Sequence, residues 1–339
     1  MAPMTRGRAD AVTGVPHPLA PVYYAQRAGA GLIVTEGVWP TPIGRGEEGV
    51  PGLVTEPQVA AWRDVTTAVH AAGGRIFAQL WHVGRLSHPD VMPGGMLPVA
   101  PSAVRAPGMT HVPTGKAEFV TPRQLTIGEI QSTVEEFAVA ARNAIDSGFD
   151  GVELHGANGY LIHQFVADNT NLRSDGYGGS LAGRLRFPLE VVHAVADAVG
   201  ADQVGLRVSP GNPENDLVEV DPATTYRTLL GALGGLDLAY LHIVDSHANG
   251  ESPYPALADL RPHWDGTLIG NVGAGEPTTQ EEGERLLADR LVDVVAFGRL
   301  FLGNPDLPVR FATGAPLSHV ASEHHYGCGL DGYVEESAA

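Results

Sequence analysis

The sequence predicts an α/β protein built as a (β/α)8 TIM barrel, and three observations support this fold class. Short runs of small, apolar and β-branched residues recur along the chain, and helical stretches separate them. Polar residues interrupt or follow several of these runs near their carboxyl ends, where such barrels carry their active sites. No G-x-G-x-x-G motif opens a helix after an early strand, which disfavours a doubly wound sheet, the structural alternative.

The first half of the chain supplies four predicted strands and two helices with clear start signals. One helix begins at Thr55, where Gln58 completes a capping box, and a glycine pair after residue 72 ends it. Thr126 and Glu129 form a second capping box, which begins a helix that reaches about residue 147. The predicted strands are residues 1–5, 31–35, 75–80 and 151–154.

The second half continues the alternation, with strands over residues 203–208, 238–244, 267–270 and 291–297. Helices are predicted over residues 181–199 and 277–288, and Asp221 followed by Pro222 caps another. No internal repeat or low-complexity tract divides the chain, so we predict a single domain over residues 1–339. The long irregular stretch 81–125 is rich in proline and glycine, which is typical of a functional cover loop.

Composition restricts the class of partner. The 339 residues carry a formal charge of −18, a surface that repels nucleic acid and anionic membranes. The single cysteine, Cys328, excludes an internal disulfide and a four-cysteine iron–sulfur cluster. There is no cleavable signal and no apolar run long enough to span a bilayer, so we expect a cytoplasmic protein, either a monomer or a homodimer.

One segment combines three side chains that suit a single reaction type. His155 follows the predicted strand 151–154, and Asn158 and Tyr160 follow it within five residues. An imidazole and an amide beside a phenol suit a reaction that builds negative charge on an oxygen and needs a nearby proton. The alternative is a polar strand-to-helix loop that contains a hydrogen-bonded histidine.

Polar or small residues mark the ends of other strands. Gly37 follows the second run, where a missing side chain lets a flat ring approach the backbone. Gln79 interrupts the third strand and Arg207 the fifth. A charged group inside a barrel needs a partner, which a bound group with an anionic edge would supply. The alternative is an internal ion pair of Arg207 with Glu153 or Asp245.

The ends of the last two predicted strands suit a phosphate group. Gly275 belongs to a Gly-Ala-Gly run after the seventh strand, and Gly298 with Arg299 follows the eighth. Barrels commonly bind phosphate between these two loops through backbone N–H groups, and an arginine adds a bidentate cation.

Three motifs resemble the old yellow enzyme family of FMN-dependent ene-reductases. Residues 79–85 read Q-L-W-H-V-G-R, residues 155–165 read H-G-A-N-G-Y-L-I-H-Q-F, and residues 171–180 read N-x-R-x-D-x-Y-G-G-S. The resemblance extends over nearly the whole chain. It implies non-covalent FMN, NADPH or NADH as hydride donor, and reduction of the activated C=C bond of α,β-unsaturated carbonyl or nitro compounds.

The resemblance also implies a role for each matching residue. His155 and Asn158 would bind the substrate's electron-withdrawing oxygen, and Tyr160 would donate the proton. Trp81 and Tyr326 would line the substrate side. Thr5 places the chain in the threonine branch, since a separate branch has cysteine there. The implied flavin contacts are Pro3, Met4, Thr5, Gln79, Arg207, Gly275, Gly298 and Arg299. The flat ring expected against Gly37 would be the flavin, and Arg207 would pair with an isoalloxazine edge that becomes anionic on reduction.

The chain departs from the family pattern at the amino end of the barrel. Family members carry a hairpin before the first strand that covers the amino end of the barrel, and we expect that plug to be absent here. The histidines lack the spacing of a metal site, and we expect none. The alternatives are a flavin-binding but inactive truncated homologue and a metal-dependent barrel hydrolase.

Overall fold

The computed structural model of the chain describes residues 1–247, 250–272, 277–327 and 329–334. Within these residues, seven parallel strands form one curled sheet in the order β1-β2-β7-β8-β9-β10-β11. The strands, in chain order, are β1 (Ile33–Val38), β2 (Ile76–Leu80), β3 (Val99–Ala100), β4 (Met109–Val112), β5 (Gly115–Glu118), β6 (Arg123–Gln124), β7 (Gly151–Gly156), β8 (Val204–Val208), β9 (Tyr240–Asp245), β10 (Leu268–Val272) and β11 (Val294–Val295).

The helices follow the strands as a barrel requires, and both predicted capping boxes are present. The predicted helix 181–199 is confirmed with the same bounds, and Asp221 caps the next helix by accepting from the Thr224 N–H. In chain order the helices are α1 (Ala20–Ala25), α2 (Glu56–Ala71), α3 (Ile127–Asp146), α4 (Leu161–Val166), α5 (Leu181–Val199), α6 (Pro222–Leu233), α7 (Ala256–Leu260), α8 (Gln280–Ala288), α9 (Arg299–Gly303) and α10 (Leu307–Thr313).

The first residues of the chain connect the two edges of the curled sheet. The Ala2 N–H donates to the Phe297 carbonyl at 2.8 Å, and the Val34 N–H donates to the Met1 carbonyl at 3.1 Å. The predicted strand 1–5 is nevertheless wrong, because residues 1–5 do not form a regular strand. Pro3 has no N–H to continue a ladder, so the bridge between β11 and β1 is limited to the first two residues.

The stretch 81–125 is more ordered than the sequence indicated. It contains the antiparallel hairpin β4–β5 and the strand β3, which pairs with β6 in parallel. The prediction of a continuous irregular loop is therefore wrong. Strand pairs as short as β3–β6 carry too little periodicity to be recognised from sequence.

Apolar side chains fill the space between the helices and the outer face of the sheet, with Trp62, Phe137, Phe165 and Phe187 among the largest. The amino ends of the strands surround a cavity of about 410 Å³ with a mainly apolar lining that includes Leu32, Ile269, Phe297 and Phe311. None of the helices in the described part of the chain is long and apolar enough to span a membrane.

Candidate active site

The carboxyl ends of the parallel strands surround a polar cavity of about 340 Å³. Parallel strands of a barrel all end at the same face, so residues far apart in sequence meet there. The lining contains most of the predicted site residues: Pro3, Met4, Thr5, Gln79, Trp81, His155, Asn158, Tyr160, Arg207, Gly298, Arg299 and Tyr326.

Two aromatic contacts hold Tyr160 in the cavity wall. His155 lies inside β7, which extends two residues beyond its predicted end, and its ring meets the Tyr160 ring with centroids 4.9 Å apart at 66°. On the other side, the Trp81 indole meets Tyr160 at 4.9 Å and 88°. The phenol therefore lies between an imidazole and an indole, in edge-to-face contacts that aromatic rings favour.

Asn158 adopts a strained backbone conformation. Its φ is 53°, a left-handed value that asparagine tolerates better than most residues. The strained turn is held on both sides, because the Asn158 N–H donates to Ser209 Oγ and the Asn158 carbonyl accepts from Asn215 Nδ2, each at 2.8 Å. Such strain persists where the surroundings fix it, and it is common at functional sites.

His155 and Tyr160 are both uncharged hydrogen-bond donors. Burial lowers the pKa of His155 well below its usual value, and the positive charge of Arg207 lowers it further. His155 Nδ1 accepts from the Ala157 N–H at 3.4 Å, which leaves the ring proton on Nε2. Burial, followed by the carboxylates of Glu214 and Glu47, raises the pKa of Tyr160. The cavity therefore offers an N–H and an O–H without a net charge on either ring.

Arg207 lies on β8 as a buried cation, and burial lowers its pKa. Neither alternative ion-pair partner contacts it. The Glu153 carboxylate accepts from Gln79, Tyr240 and His242, while Asp245 accepts from the backbone of His247 and Leu257. Across the described residues, no carboxylate forms a salt bridge with Arg207 within 4.0 Å, and its Nη2 contacts Asn271 Oδ1 at 3.4 Å.

Buried polar atoms in the lining test whether these residues fit FMN. Trp81 Nε1, Asn158 Oδ1, Arg207 Nε and Glu214 Oε2 are all buried without a hydrogen-bond partner among the described residues. A buried donor or acceptor is normally paired. A flat heterocycle with both donors and acceptors along its edge, such as isoalloxazine, suits this mixture of donors and acceptors. The residues present therefore fit the expected cofactor.

Two predicted flavin contacts are missing from the described lining of the cavity, each for a different reason. Gly37 is inside β1 and not in the cavity lining, and a Cβ there would collide with the Trp81 indole. The flat ring against Gly37 is therefore an indole of the protein. Gly275 falls in 273–276, outside the described residues. Gly298 and Arg299 line the cavity at the start of α9, and an added Cβ at Gly298 would meet Met4 at 3.4 Å.

The outer side of the cavity is formed by the C-terminal segment, where Tyr326 lines the cavity and stays 58% exposed. Two buried arginines hold this segment by its carbonyl oxygens. Arg6 donates to His325, His324 and Gly332 at 2.9, 3.2 and 2.8 Å, and Arg8 donates to Gly329, His324 and Asp331 at 2.7, 3.1 and 2.9 Å. The two ends of the chain are therefore fastened together beside the cavity.

Sequence reasoning missed several lining residues, among them Glu47, Glu214, Asn271 and Thr278. Asn271 shares the signal that identified Gln79 and Arg207, a polar residue near the carboxyl end of an apolar strand. It was overlooked because the predicted strand stopped at residue 270. Glu47 lies in a loop and Glu214 begins a three-residue 3-10 helix, and neither segment has a periodic pattern. Burial raises the pKa of both carboxyl groups.

The histidines serve different contacts. His242 Nδ1 contacts Glu153 Oε2 beneath the cavity, and His163 Nε2 lies 3.3 Å from Glu219 Oε1. In the part of the chain that the structure describes, no three histidine, cysteine, aspartate or glutamate side chains form a group that could hold a metal ion.

The family model described as "NADH:flavin oxidoreductase / NADH oxidase family" matches residues 1–318. A putative 12-oxophytodienoate reductase 11 from Oryza sativa subsp. japonica is 41% identical over 338 residues, which cover 96% of this chain and 89% of that protein.

Solved structures agree with the sequence relatives. An old yellow enzyme homologue from Zymomonas mobilis is 39% identical with a TM-score of 0.93, covering 98% of this chain and 93% of that chain. Morphinone reductase in complex with tetrahydroNAD is 42% identical with a TM-score of 0.92, covering 99% of this chain and 92% of that chain.

The matched proteins and this chain align over nearly their full lengths, so the fold and the family agree. The alternative of a metal-dependent hydrolase is therefore set aside. The chain belongs to the NADH:flavin oxidoreductase / NADH oxidase family, and it is an FMN-containing, NAD(P)H-dependent ene-reductase of the old yellow enzyme type.

Proposed function

We propose that this enzyme reduces the activated C=C bond of α,β-unsaturated carbonyl or nitro compounds, with NADPH or NADH as the source of hydride. The observation that carries the proposal is the meeting of a neutral imidazole, an amide and a neutral phenol in one cavity with the Arg207 cation. Relatives named for 12-oxophytodienoate and morphinone support the same substrate class.

We assign the cofactor side of the cavity to three groups of residues. Gln79 and Arg207 would contact the pyrimidine edge of FMN, and Thr5, with Pro3 and Met4, would lie near a flavin carbonyl. Gly298 and Arg299 would hold the phosphate. Bound FMN supplies a carrier that takes hydride from nicotinamide and gives it to the β-carbon of the alkene.

His155 and Asn158 bind the oxygen on which negative charge accumulates. The neutral His155 ring carries its proton on Nε2, so it donates to that oxygen without first losing a proton. An oxyanion donor of this kind contributes roughly 3 kcal/mol to transition-state stabilisation. Trp81 and Tyr326 then bound the space that the rest of the substrate occupies.

Tyr160 supplies the proton to the α-carbon. Its raised pKa keeps the phenol protonated at neutral pH, and the contacts with His155 and Trp81 fix the ring beside the oxyanion site. A positioned general acid accelerates proton transfer by on the order of 10²- to 10⁴-fold.

The visible spectrum of the purified protein tests the proposal directly. We expect a flavin spectrum that bleaches on anaerobic addition of NADPH or NADH and returns on addition of cyclohex-2-enone or a nitroalkene. Heat-denatured, filtered protein should release FMN. A colourless protein that does not take up FMN would contradict the cofactor site. A flavin that bleaches but is not reoxidised by either alkene would instead favour the inactive homologue.

A further inference from the structure

A buried carboxylate lies one layer beneath the cavity, at the centre of a hydrogen-bond network. Glu153 is fully buried on β7, directly opposite Gln79 in the β2–β7 register. Its Oε1 accepts from Gln79 Nε2 at 2.8 Å, and its Oε2 accepts from the Tyr240 hydroxyl at 3.1 Å and from His242 Nδ1 at 2.9 Å. Three donors therefore converge on one side chain that the proposed mechanism does not use.

The carboxylate determines which way the Gln79 amide points. An ionised carboxylate only accepts hydrogen bonds, so Gln79 must turn its NH₂ group toward Glu153. Burial opposes ionisation, but the charges and hydrogen bonds of His242, Arg207 and Gln79 outweigh it and lower the pKa of Glu153. The amide oxygen of Gln79 is then the polar atom that remains for a donor in the cavity, which Gln79 lines.

A second branch of the network reaches Arg207. His242 Nε2 contacts Asn271 Oδ1 at 3.0 Å, and the same oxygen lies 3.4 Å from Arg207 Nη2. One buried acid is therefore linked to both side chains that are assigned to the pyrimidine edge of the flavin. A buried ionised group is a costly way to fill a barrel interior, since apolar side chains of similar volume often stabilise as well or better.

We propose that Glu153 is a positioning residue of the flavin site, which holds the Gln79 carboxamide so that its oxygen accepts from the N3–H of FMN. The isoalloxazine of oxidised FMN has a single N–H donor, at N3, and otherwise offers acceptors along its pyrimidine edge. A Gln79 amide turned the other way would set its NH₂ group against that donor. This inference rests on the proposed cofactor site.

Apoprotein reconstituted with ¹⁵N-labelled FMN tests the inference without turnover. Gln79→Met removes the amide and defines the N3 resonance of a flavin that lacks this partner. Glu153→Met removes the acceptor that orients the amide, and we expect its N3 resonance to move to the Gln79→Met position. Glu153→Gln keeps an acceptor oxygen for the Gln79 NH₂, and we expect its N3 resonance to stay at the wild-type position. In all variants the N10 resonance should stay in place.

Binding of FMN to the same apoproteins gives a second readout. Loss of one hydrogen bond should weaken the affinity by roughly 3- to 10-fold in Gln79→Met and in Glu153→Met. The double variant should be no weaker than Gln79→Met, because Glu153 acts on N3 through that amide.

Glu153→Met leaves the Tyr240 and His242 donors buried without an acceptor and risks misfolding. A triple variant that adds Tyr240→Phe and His242→Leu removes these donors with the carboxylate, and the same N3 shift is expected in it. A wild-type N3 resonance in Glu153→Met or in the triple variant would overturn the positioning role of Glu153 and leave the cofactor site standing. Wild-type protein that binds no FMN would overturn the cofactor site and this inference together.

Discussion

The two sides of the active-site cavity are held in different ways. We call the first side the barrel wall. There, His155 and Arg207 are paired across the β7–β8 ladder, so backbone hydrogen bonds fix their spacing. We call the second side the chain-end wall. It contains Thr5 and Tyr326, which belong to irregular segments. The side chains of Arg6 and Arg8 hold these segments together by hydrogen bonds to carbonyl groups. The strand ladder therefore positions His155 and Arg207, whereas the cover over the cavity depends on two arginines.

The difference predicts that variants on the two walls fail differently. Changes on the barrel wall should lower the rate of the chemical step, because they remove groups that act in the transition state. Changes on the chain-end wall should alter access and affinity, because they loosen a segment without removing a proposed donor.

Tyr160→Phe should give the largest effect. We expect reoxidation of the reduced flavin by cyclohex-2-enone to slow by about 10²- to 10⁴-fold, while flavin reduction by nicotinamide stays nearly unchanged, because only the first step needs a proton delivered to carbon. Stopped-flow absorbance separates the two half-reactions. Tyr326→Phe on the chain-end wall is the matched control and should leave the limiting rate of reoxidation intact. If both half-reactions slow equally in Tyr160→Phe, Tyr160 has a structural role and is not the proton donor.

His155→Ala should come next. Loss of one oxyanion donor corresponds to roughly 3 kcal/mol, or on the order of 10²-fold in reoxidation rate. Simple phenols, which offer an oxygen to the same donors, should bind more weakly and lose their long-wavelength charge-transfer band. His193→Ala, an exposed histidine on α5, serves as control. If phenol affinity in His155→Ala equals that of the wild type, His155 does not contribute to the oxyanion site.

Arg8→Ala tests the chain-end wall. Arg8 donates three hydrogen bonds to carbonyl groups of residues 324–331, and loss of one charge-assisted bond costs about 1.5–3 kcal/mol. Limited proteolysis of the C-terminal segment should therefore accelerate by about 10- to 100-fold. KM for the alkene should rise more than kcat falls. Arg186→Ala, which removes an exposed ion pair with Glu190, should change neither quantity. A fall in kcat with an unchanged KM would mean that Arg8 supports the barrel wall instead.

Hydrogen exchange compares the backbone of the two walls directly. The Val204–Val208 strand has ladders on both sides, whereas residues 2–5 lack a regular strand and Pro3 interrupts any ladder. We expect the amides of residues 4 and 5 to exchange much faster than those of Val204–Val208. Equal protection of the two segments would show that the first residues are held as firmly as the barrel wall.

The smallest effect is expected from pH. The buried His155 ring has a pKa well below the usual value of about 6.5, so it remains neutral as the pH falls through that value. Binding of cyclohex-2-enone, which does not ionise, should therefore be flat between about pH 5.5 and about pH 8. The unfolded chain takes up this proton more readily, so the free energy of unfolding should fall below about pH 6.5. A tenfold change in affinity centred near pH 6.5 would contradict a neutral His155.

The parts of the site that sequence could predict are those carried by local patterns. His155, Asn158 and Tyr160 lie within six residues, and Gln79 and Arg207 stand out as polar residues in apolar strands. The contacts of Arg6 and Arg8 join residues more than 300 positions apart, and no local pattern encodes them. The same holds for the donors around Glu153, which come from three other strand positions.

The sequence predicted the elements that carry a local signal of their own and missed those that do not. Long periodic helices with capping boxes were placed correctly, because each carries its own start signal. The first predicted strand failed because an apolar run of five residues has the composition of a strand but no second feature to confirm its pairing. Gly37 was assigned to the flavin because sequence shows that a ring could approach a glycine but not which ring does so.

The contact between Gly37 and Trp81 bears on how substrate range can change within this family. Position 37 lies behind the indole, outside the cavity, and any side chain there must displace Trp81 from its place against Tyr160. A mutation that never touches substrate would thus reshape the space where substrate lies. Evolution, or a directed screen for bulkier alkenes, therefore has a site at which the cavity can be remodelled while His155, Asn158 and Tyr160 keep their identities.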